Sequence, residues 1–287
     1  MSDDLTIPSL FDVQGKVVVI TGGGIGIGTM IASAFVQNGA KVYIAARKEA
    51  QLKSTAETLN KRGPGSCHYF VADLSTKAGC EALAASIKAR EPKIHVLVNN
   101  SGTTWGAPYD NFPEIGWDRT LALNVKSIFY LTVALTDALE AAGSQADPAR
   151  VINISSIAGL TSSPWDNRVS IEGVGLWSYN TSKAAVNHLT TQLATTLLPK
   201  HITVNAILPG IFPSNMTKFG LKKHGADSVA LQNPMGRLGT PRDMAGVALF
   251  LASPAASYVT GAHIVLDGGD LISLQIPRPS DKAAAKL

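Results

Sequence analysis

Cysteine is almost missing from this chain: Cys67 and Cys80 are the only two in 287 residues, with neither a CxxC spacing nor a neighbouring His pattern. That scarcity argues against a disulfide framework and a structural zinc site, and it suits a reducing compartment. The six histidines fit no ligand spacing either, so no metal is expected. Charged residues are few, at 16%, and with 45% hydrophobic residues this excludes a disordered chain. The net charge of +4 comes from scattered Lys and Arg without a polybasic run, which excludes a nucleic-acid reader and leaves a mild attraction for anionic ligands. No uninterrupted apolar stretch approaches a membrane span, and "MSDDLTIPSLF" at the N-terminus lacks the apolar run of a signal peptide. A cytoplasmic protein with no membrane partner is expected. The alternative address is peroxisomal, because Ala285-Lys286-Leu287 is a conservative variant of Ser-Lys-Leu.

What the chain has in quantity is alternation. "KVVVI" at 16–20 leads through a Gly-rich turn into "IGTMIASAFVQNGA", whose apolar spacing is helical and whose end is marked by Gly39. The same order recurs with "KVYIA", "CHYFVA", "IHVLVNN", "RVINISS" and "ITVNAILPG", each followed by a helical segment (49–61, 77–90, 114–142, 178–198 and 241–252), and it ends on "HIVLDGG". Val/Ile runs without polar alternation belong to strands covered on both faces. Their alternation with helices predicts an α/β fold, a doubly wound parallel sheet of about seven strands with helices on both faces. An open sheet of this kind can use about 250 residues in one domain, so a single domain over 1–287 is expected, with a tail at 270–287.

Ligands of such sheets bind outside the carboxyl ends of the strands. After the first strand stands "TGGGIGIG", where missing side chains let the backbone approach a pyrophosphate at a helix N-terminus. Contacts are expected from Gly22, Gly24, Ile25, Gly26, Ile27 and Gly28. The second strand ends in Ala46, Arg47 and Lys48, with no acidic residue to take a ribose 2′-hydroxyl. A guanidinium there suits a 2′-phosphate, which favours NADP(H); otherwise Arg47 and Lys48 simply open a solvated helix. Farther along, "WSYNTSKAAVNHL" sets Tyr179 and Lys183 one turn apart on one helix face, a pair that in isolation reads first as solvent-exposed.

The spaced set "TGGGIGIG", "NNSG" at 99–102, Asn124, "INISSIAG" at 152–159, "YNTSK" at 179–183 and "PG" at 209–210 resembles the short-chain dehydrogenase/reductase family over about residues 12–269. Within it the chain looks most like 3-oxoacyl-acyl-carrier-protein reductases of the rhamnolipid-biosynthesis type, through "NNSGTTWGA", "PSNMT" and "PMGRLGTPRDMAGVALFLASPAASYVTG". The resemblance implies a Rossmann-like fold and NADPH-dependent reduction of a ketone. Tyr179 would exchange the proton with the substrate oxygen, and Lys183 would bind the nicotinamide ribose and lower a phenol pKa that is normally about 10. Ser156 would hydrogen-bond the carbonyl oxygen, and Asn124 would hold a water that relays protons to Lys183. It implies further cofactor contacts from Asp73, Leu74, Asn100, Ser101, Gly102, Pro209, Gly210 and Ile211, besides Tyr179 and Lys183.

Competing readings stand beside these. Ser155 is as well placed by composition as Ser156, Asn124 is equally a residue that caps or kinks its helix, and Asp73 is equally an N-cap. Two departures from the family also matter. Ile25 stands where NADP-preferring members often carry Arg, and Ser156 and Tyr179 lie 23 positions apart, farther than usual, because "TSSPWDNRVSIEGVGLWS" intrudes. The inserted segment is expected to lie over the active site. Loops 160–178 and 211–233 are the expected substrate loops, with Trp105, Trp165, Trp177, Phe212 and Phe219 as an apolar supply for a hydrophobic ketone or acyl thioester. Lys218, Lys222, Lys223 and His224 either meet an acidic carrier or form a solvated face. Oxidation of a secondary alcohol with NAD(P), or NADP(H) binding without turnover, are the alternatives. The resemblance implies a homotetramer built on the helices at 114–142 and 178–198 and the tail.

Overall fold

A computed structural model describes residues 4–166, 168 and 171–275. Seven strands, β1 (Val17–Thr21), β2 (Lys41–Ala46), β3 (Ser66–Val71), β4 (Val96–Asn99), β5 (Ala149–Ile154), β6 (Ile202–Pro209) and β7 (His263–Leu266), form one sheet. Its order is β3-β2-β1-β4-β5-β6-β7, and every neighbouring pair is parallel. This is the doubly wound, single-domain α/β architecture that the alternation implied. Ala285-Lys286-Leu287 and the tail beyond residue 275 lie outside the described residues.

A short helix α1 (Ile7–Leu10) precedes β1. The crossovers are α2 (Gly26–Gln37), α3 (Glu49–Leu59), α4 (Lys77–Lys88), α5 (Glu114–Leu121) continued by α6 (Ser127–Ala142), α7 (Trp177–Leu197), then α8 (Lys218–His224), α9 (Ala226–Leu231) and α10 (Pro241–Ala252). Because side chains alternate along a strand, β1 serves two cores. Val18 and Ile20 pack with Phe35, Ile44, Ile152 and Leu251 on the face covered by α2 and α10. Val17 and Val19 pack with Leu97, Leu131, Leu135, Val151 and Val186 beneath α4, α6 and α7. Full burial of all five β1 residues explains the run without polar alternation. Local signals set the helix ends: Thr240 and Asp243 form a reciprocal capping box with Pro241 in the first turn of α10.

Two features depart from the sequence reading. The segment 114–142 is not one regular helix, because Ala122–Lys126 forms a π turn between α5 and α6. Such turns insert one extra residue and often mark functional sites. The criterion of an uninterrupted apolar run also passes over Glu114–Ala142, which at 29 residues, with charges interrupting it, is long and apolar enough to cross a membrane by length and composition. In the fold its Ile128, Leu131, Leu135 and Leu139 are buried in the core beneath the sheet.

The polar groups inside are paired across elements. Asn99 and Asn153 are register partners on β4 and β5. Asn99 donates to Asn153 Oδ1 (2.9 Å) and to Thr132 Oγ1 on α6 (3.3 Å), and Asn153 donates to Thr190 Oγ1 on α7 (2.9 Å). These satisfied groups brace the carboxyl ends of the central strands. At the opposite ends Asp147 pairs with both Lys16 (2.8 Å) and the buried Arg150.

Gly28 marks where α2 meets the strand ends. A Cβ there would sit 2.4 Å from the Gly22 carbonyl oxygen and 2.6 Å from Asn100 Nδ2. Gly28→Ala is therefore expected to destabilise the protein by about 1–3 kcal/mol through overpacking. Thermal denaturation checks this, and an unchanged melting temperature would show that α2 can yield.

Candidate active site

The strand order reverses between β1 and β4, and the crevice opens at that point. The two strand ends are laced together. Thr21 Oγ1 accepts from the backbone N–H groups of Asn100 and Ser101, both at 2.9 Å, while Asn100 Nδ2 donates to the carbonyls of Thr21 (2.9 Å) and Gly22 (3.2 Å). The resulting cavity of about 660 Å³ runs from Arg47 and Lys48 to Tyr179 and Lys183.

Of the expected cofactor residues, the turn positions Gly22, Gly24, Ile25, Gly26 and Ile27 line this cavity, as do Asp73 with Leu74, Asn100 through Gly102, and Pro209 with Gly210. Gly28 does not; it is the close-packing position described above. Ile211 faces a separate cavity of about 70 Å³ between Phe212, Asn233 and Asp267. No side chain caps the N-terminus of α2, so the orphan N–H groups of its first turn face the crevice without a protein partner. Gly26 has φ +56°, and a Cβ there would lie 3.2 Å from Ser214 Cβ, which places the segment after β6 across the turn.

Arg47 is exposed at the β2 end. The Asp73 carboxyl accepts from Ser75 N–H at 3.0 Å. That bond, the Ser75 hydroxyl and the nearby Arg47 charge together hold its pKa below the usual carboxylate value. Asp73 is not the cap of α4; Thr76 is, accepting from Gly79 N–H at 3.1 Å.

At the other end, three consecutive residues at and just beyond the β5 terminus grip α7. The Ile154 carbonyl accepts from Lys183 Nζ at 2.8 Å, Ser155 Oγ donates to the Lys183 carbonyl at 3.0 Å, and Ser156, whose Oγ accepts from Ala158 N–H at 3.1 Å, stands close enough to the Tyr179 phenol to lower its pKa. Ser155, which is buried, is thus committed to the helix backbone, whereas Ser156 stands beside the phenol. Lys183 Nζ lies 5.7 Å from the Tyr179 ring centroid. Burial opposes both charges: it lowers the Lys183 pKa to about 8 and raises that of Tyr179, against which the Ser156 hydrogen bond acts.

Asn124 sits in the π turn, buried, with its amide spent. Oδ1 accepts from Thr103 N–H (2.8 Å), and Nδ2 donates to the Thr103 carbonyl (3.0 Å) and to Ser182 Oγ (2.9 Å). Both side-chain donors are therefore used for structure, while Oδ1 keeps a second lone pair.

The inserted segment has no described residue among those lining the crevice. It is bridged to the β4–α5 loop through Ala107 and Gly175, and its Arg168 pairs with Asp166 and Asp270, each at 2.8 Å. Trp165 stacks edge-on against Trp177 (5.4 Å between centroids), which also meets Tyr109 (5.3 Å). Trp105 packs under Arg119 (5.8 Å), and Phe219 is exposed; of the five expected aromatics only Phe212 lines the cavity. Sequence reasoning did not assign Thr21, Gln51, or Ser214 through Thr217, which also form the crevice or its clasp. The stretch "PSNMT" was the available signal for the last group. Among the described residues no cluster of three or more His, Cys, Asp or Glu is placed to hold a metal.

Comparison with known proteins agrees with this geometry. The enoyl-(acyl carrier protein) reductase family profile matches residues 23–270. The chain is 40% identical over 262 residues to a rhamnolipids biosynthesis 3-oxoacyl-[acyl-carrier-protein] reductase of Pseudomonas aeruginosa, covering 90% of this chain and 97% of that protein. It is 34% identical to a galactitol 2-dehydrogenase (L-tagatose-forming) of Cereibacter sphaeroides, covering 91% and 97%. Among solved structures, the Pseudomonas aeruginosa RhlG/NADP active-site complex superposes with a TM-score of 0.83 at 39% identity, covering 91% of this chain and 98% of that one. A short-chain type dehydrogenase/reductase from Mycobacterium marinum does so at 0.81 and 30%, covering 92% and 99%. With a site of this shape at the switch point and likeness along nearly its whole length, the chain belongs to the short-chain dehydrogenase/reductase family.

Proposed function

We propose that the protein reduces a ketone to a secondary alcohol with NADPH, with 3-oxoacyl thioesters as the first substrate class to test. The observation that carries this reading is the convergence of Ser156, Tyr179 and Lys183 at one end of a crevice whose other end presents Arg47 and no carboxylate on β2.

The residues present suit such a cofactor. Uncapped N–H groups of α2 and the side-chain-free turn would take the pyrophosphate, Arg47 with Lys48 the 2′-phosphate, and Asp73 the adenine side. Lys183 would hold the nicotinamide ribose. When bound, NADPH supplies the hydride to the carbonyl carbon. Ser156 hydrogen-bonds the ketone oxygen and fixes it beside Tyr179, whose phenol gives its proton to the developing alkoxide. The Lys183 ammonium then faces the tyrosinate and offsets its charge, and Asn124 would hold the water that relays protons to Lys183.

Reduction is favoured over alcohol oxidation by the Arg47 environment and by the greater similarity to the 3-oxoacyl reductase than to the galactitol dehydrogenase. In this reading 212–217 is a lid, since Ser214 through Thr217 line the crevice, and the insert with its Trp165–Trp177 pair bounds the substrate entrance. Ile115, Phe129 and Val133 point outward from α5 and α6, a face suited to the homotetramer the family suggests. Two free, buried cysteines fit a cytoplasmic enzyme.

Tyr179→Phe is expected to lower kcat by roughly 10²–10⁴-fold while NADPH binding survives. Steady-state kinetics with 3-oxoacyl thioesters, alongside NADPH titration, decides this; wild-type turnover would remove the assignment. For Arg47→Glu the expected change is a loss of about 10–100-fold in NADPH affinity, from a lost charge-assisted contact and added repulsion. NADH affinity should move far less, and equal losses for both cofactors would argue against a 2′-phosphate role. The pH profile has a definite sign. Because the Lys183 pKa is lowered to about 8, its ammonium is complete below that pH and lost above it, while the raised Tyr179 pKa keeps the proton donor intact through the same range. The kcat/KM for NADPH in reduction, which reports the free enzyme, should hold level in mild acid and fall above about pH 8. A profile level to pH 10 would contradict the pairing.

A further inference from the structure

The helix that carries Tyr179 is tied to α5 and the π turn by two buried polar rungs. Ser178 Oγ donates to Thr120 Oγ1 at 3.2 Å, and Asn124 Nδ2 donates to Ser182 Oγ at 2.9 Å. Both rungs advance by four residues on each side, so together they flank Tyr179. All four side chains are buried, Ser182 and Ser178 completely.

The rungs differ in what lies beyond them. From Thr120 the chain of bonds returns within its own helix, to the Gly116 carbonyl (2.6 Å). From Ser182 it continues in both directions into the site. Its hydroxyl donates to the Tyr179 carbonyl at 2.7 Å, and its Asn124 partner holds both backbone groups of Thr103. Thr103 follows Gly102, which lines the crevice and lies close enough that a Cβ on it would be 3.4 Å from Asn124 Oδ1 and 3.9 Å from Lys183 Nζ. A continuous path of five hydrogen-bonding groups therefore joins the loop after β4 to the backbone of the tyrosine.

A serine bonding back to a carbonyl three residues earlier is ordinary in helices and by itself means little. Here the same oxygen also accepts from an amide on another element, at zero exposure, and that amide has no hydrogen left over. Alanine would serve the helix better by propensity. The π turn, with its extra residue, is what brings Asn124 to both Thr103 and Ser182.

From this connection we infer that Ser182 is a positioning residue of the reaction, setting the first turn of α7, and hence the Tyr179 phenol, against the β4 loop and Lys183. The inference rests on the ketoreductase reading of the same site. Ser182 touches no reacting atom. Its effect is transmitted through the Tyr179 backbone, and small displacements of a catalytic group can cost as much as about 10²-fold.

The test compares Ser182→Ala, Ser182→Cys and Thr120→Val as intact proteins, with Tyr179→Phe as the reference. Cysteine fills nearly the space of serine but is a weak donor. Both Ser182 variants should lose roughly 10-fold or more in kcat with KM for ketone and NADPH nearly unchanged. Thr120→Val removes the rung that leads away from the site, so it should lower the melting temperature and leave kcat in place. Wild-type kcat in a folded Ser182→Ala would overturn the inference, as would an equal kcat loss in Thr120→Val, which would make Ser182 one packing contact among others. Failure of both Ser182 variants to fold would assign the residue to folding and also overturn it. Activity retained by Tyr179→Phe is a separate outcome, because it removes the ketoreductase reading itself.

Discussion

An ammonium group buried at the end of a parallel sheet is the constraint on which the site depends. Lys183 cannot keep its charge away from water without polar compensation, and the depression of its pKa to about 8 records how incomplete that compensation is. The compensation comes from β5, where the Ile154 carbonyl takes the ammonium at 2.8 Å. Having the lysine there forces the helix that bears it against the strand end, and the neighbouring Ser155 holds the helix backbone in that place. Ser156 then falls beside Tyr179 without further arrangement. The proposed catalytic set is thus a consequence of one strand end docking on one helix. The same low polarity that costs the lysine its proton makes its charge effective on the tyrosine.

The second support is the lacing of β1 to β4. A doubly wound sheet splits where its connections diverge, and a cavity at that split would widen unless the strand ends were tied. Thr21 and Asn100 supply the tie with four hydrogen bonds in which each accepts or donates through groups that would otherwise be unsatisfied. Below them Asn99 and Asn153 extend the bracing to α6 and α7. One plane of polar contacts therefore spans the carboxyl ends of β1, β4 and β5, and both halves of the site rest on it.

Most of this architecture was legible in the sequence, for physical reasons that also say where legibility stops. The inner strands β1, β4, β5 and β6 are buried on both faces and so read as largely apolar runs, while the edge strands β3 and β7, only partly buried, were located by their place in the alternation. Tyr179 and Lys183 could be paired because helical spacing is regular. Ser155 and Ser156 could not be told apart, since adjacent residues leave a strand end in opposite directions and composition does not reveal which direction faces the crevice. The π turn was hidden because its extra residue leaves an apolar stripe on either side of Asn124. The anchoring of the insert was hidden for a different reason. Its length and aromatics suggested a cover over the site, but its position is set by partners distant in sequence, Ala107 on one loop and Asp270 past the last strand.

Those distant partners suggest how chemistry and selectivity are divided in this molecule. The groups assigned to proton transfer stand on or against strand ends, where neighbouring strands over-determine their positions. The insert and the segment from Phe212 to Leu231 are instead fastened through loop ties: among the described residues, the Ala107–Gly175 bridge and the Arg168 guanidinium on the insert, and for the other segment the Ser214–Thr217 hydroxyl cluster that closes on Phe212. Segments held by few bonds open at lower cost than sheet-borne ones. Because these ties run within the segments or to other loops, and not to the strand ends that carry the site, these loops can change in length and side chains without disturbing Lys183 or Thr21. A longer connection between Ser156 and Tyr179 is therefore compatible with an unaltered arrangement of the proposed catalytic residues, and the place to look for what distinguishes this reductase from its relatives is the bonding of its loops, not the ends of its strands.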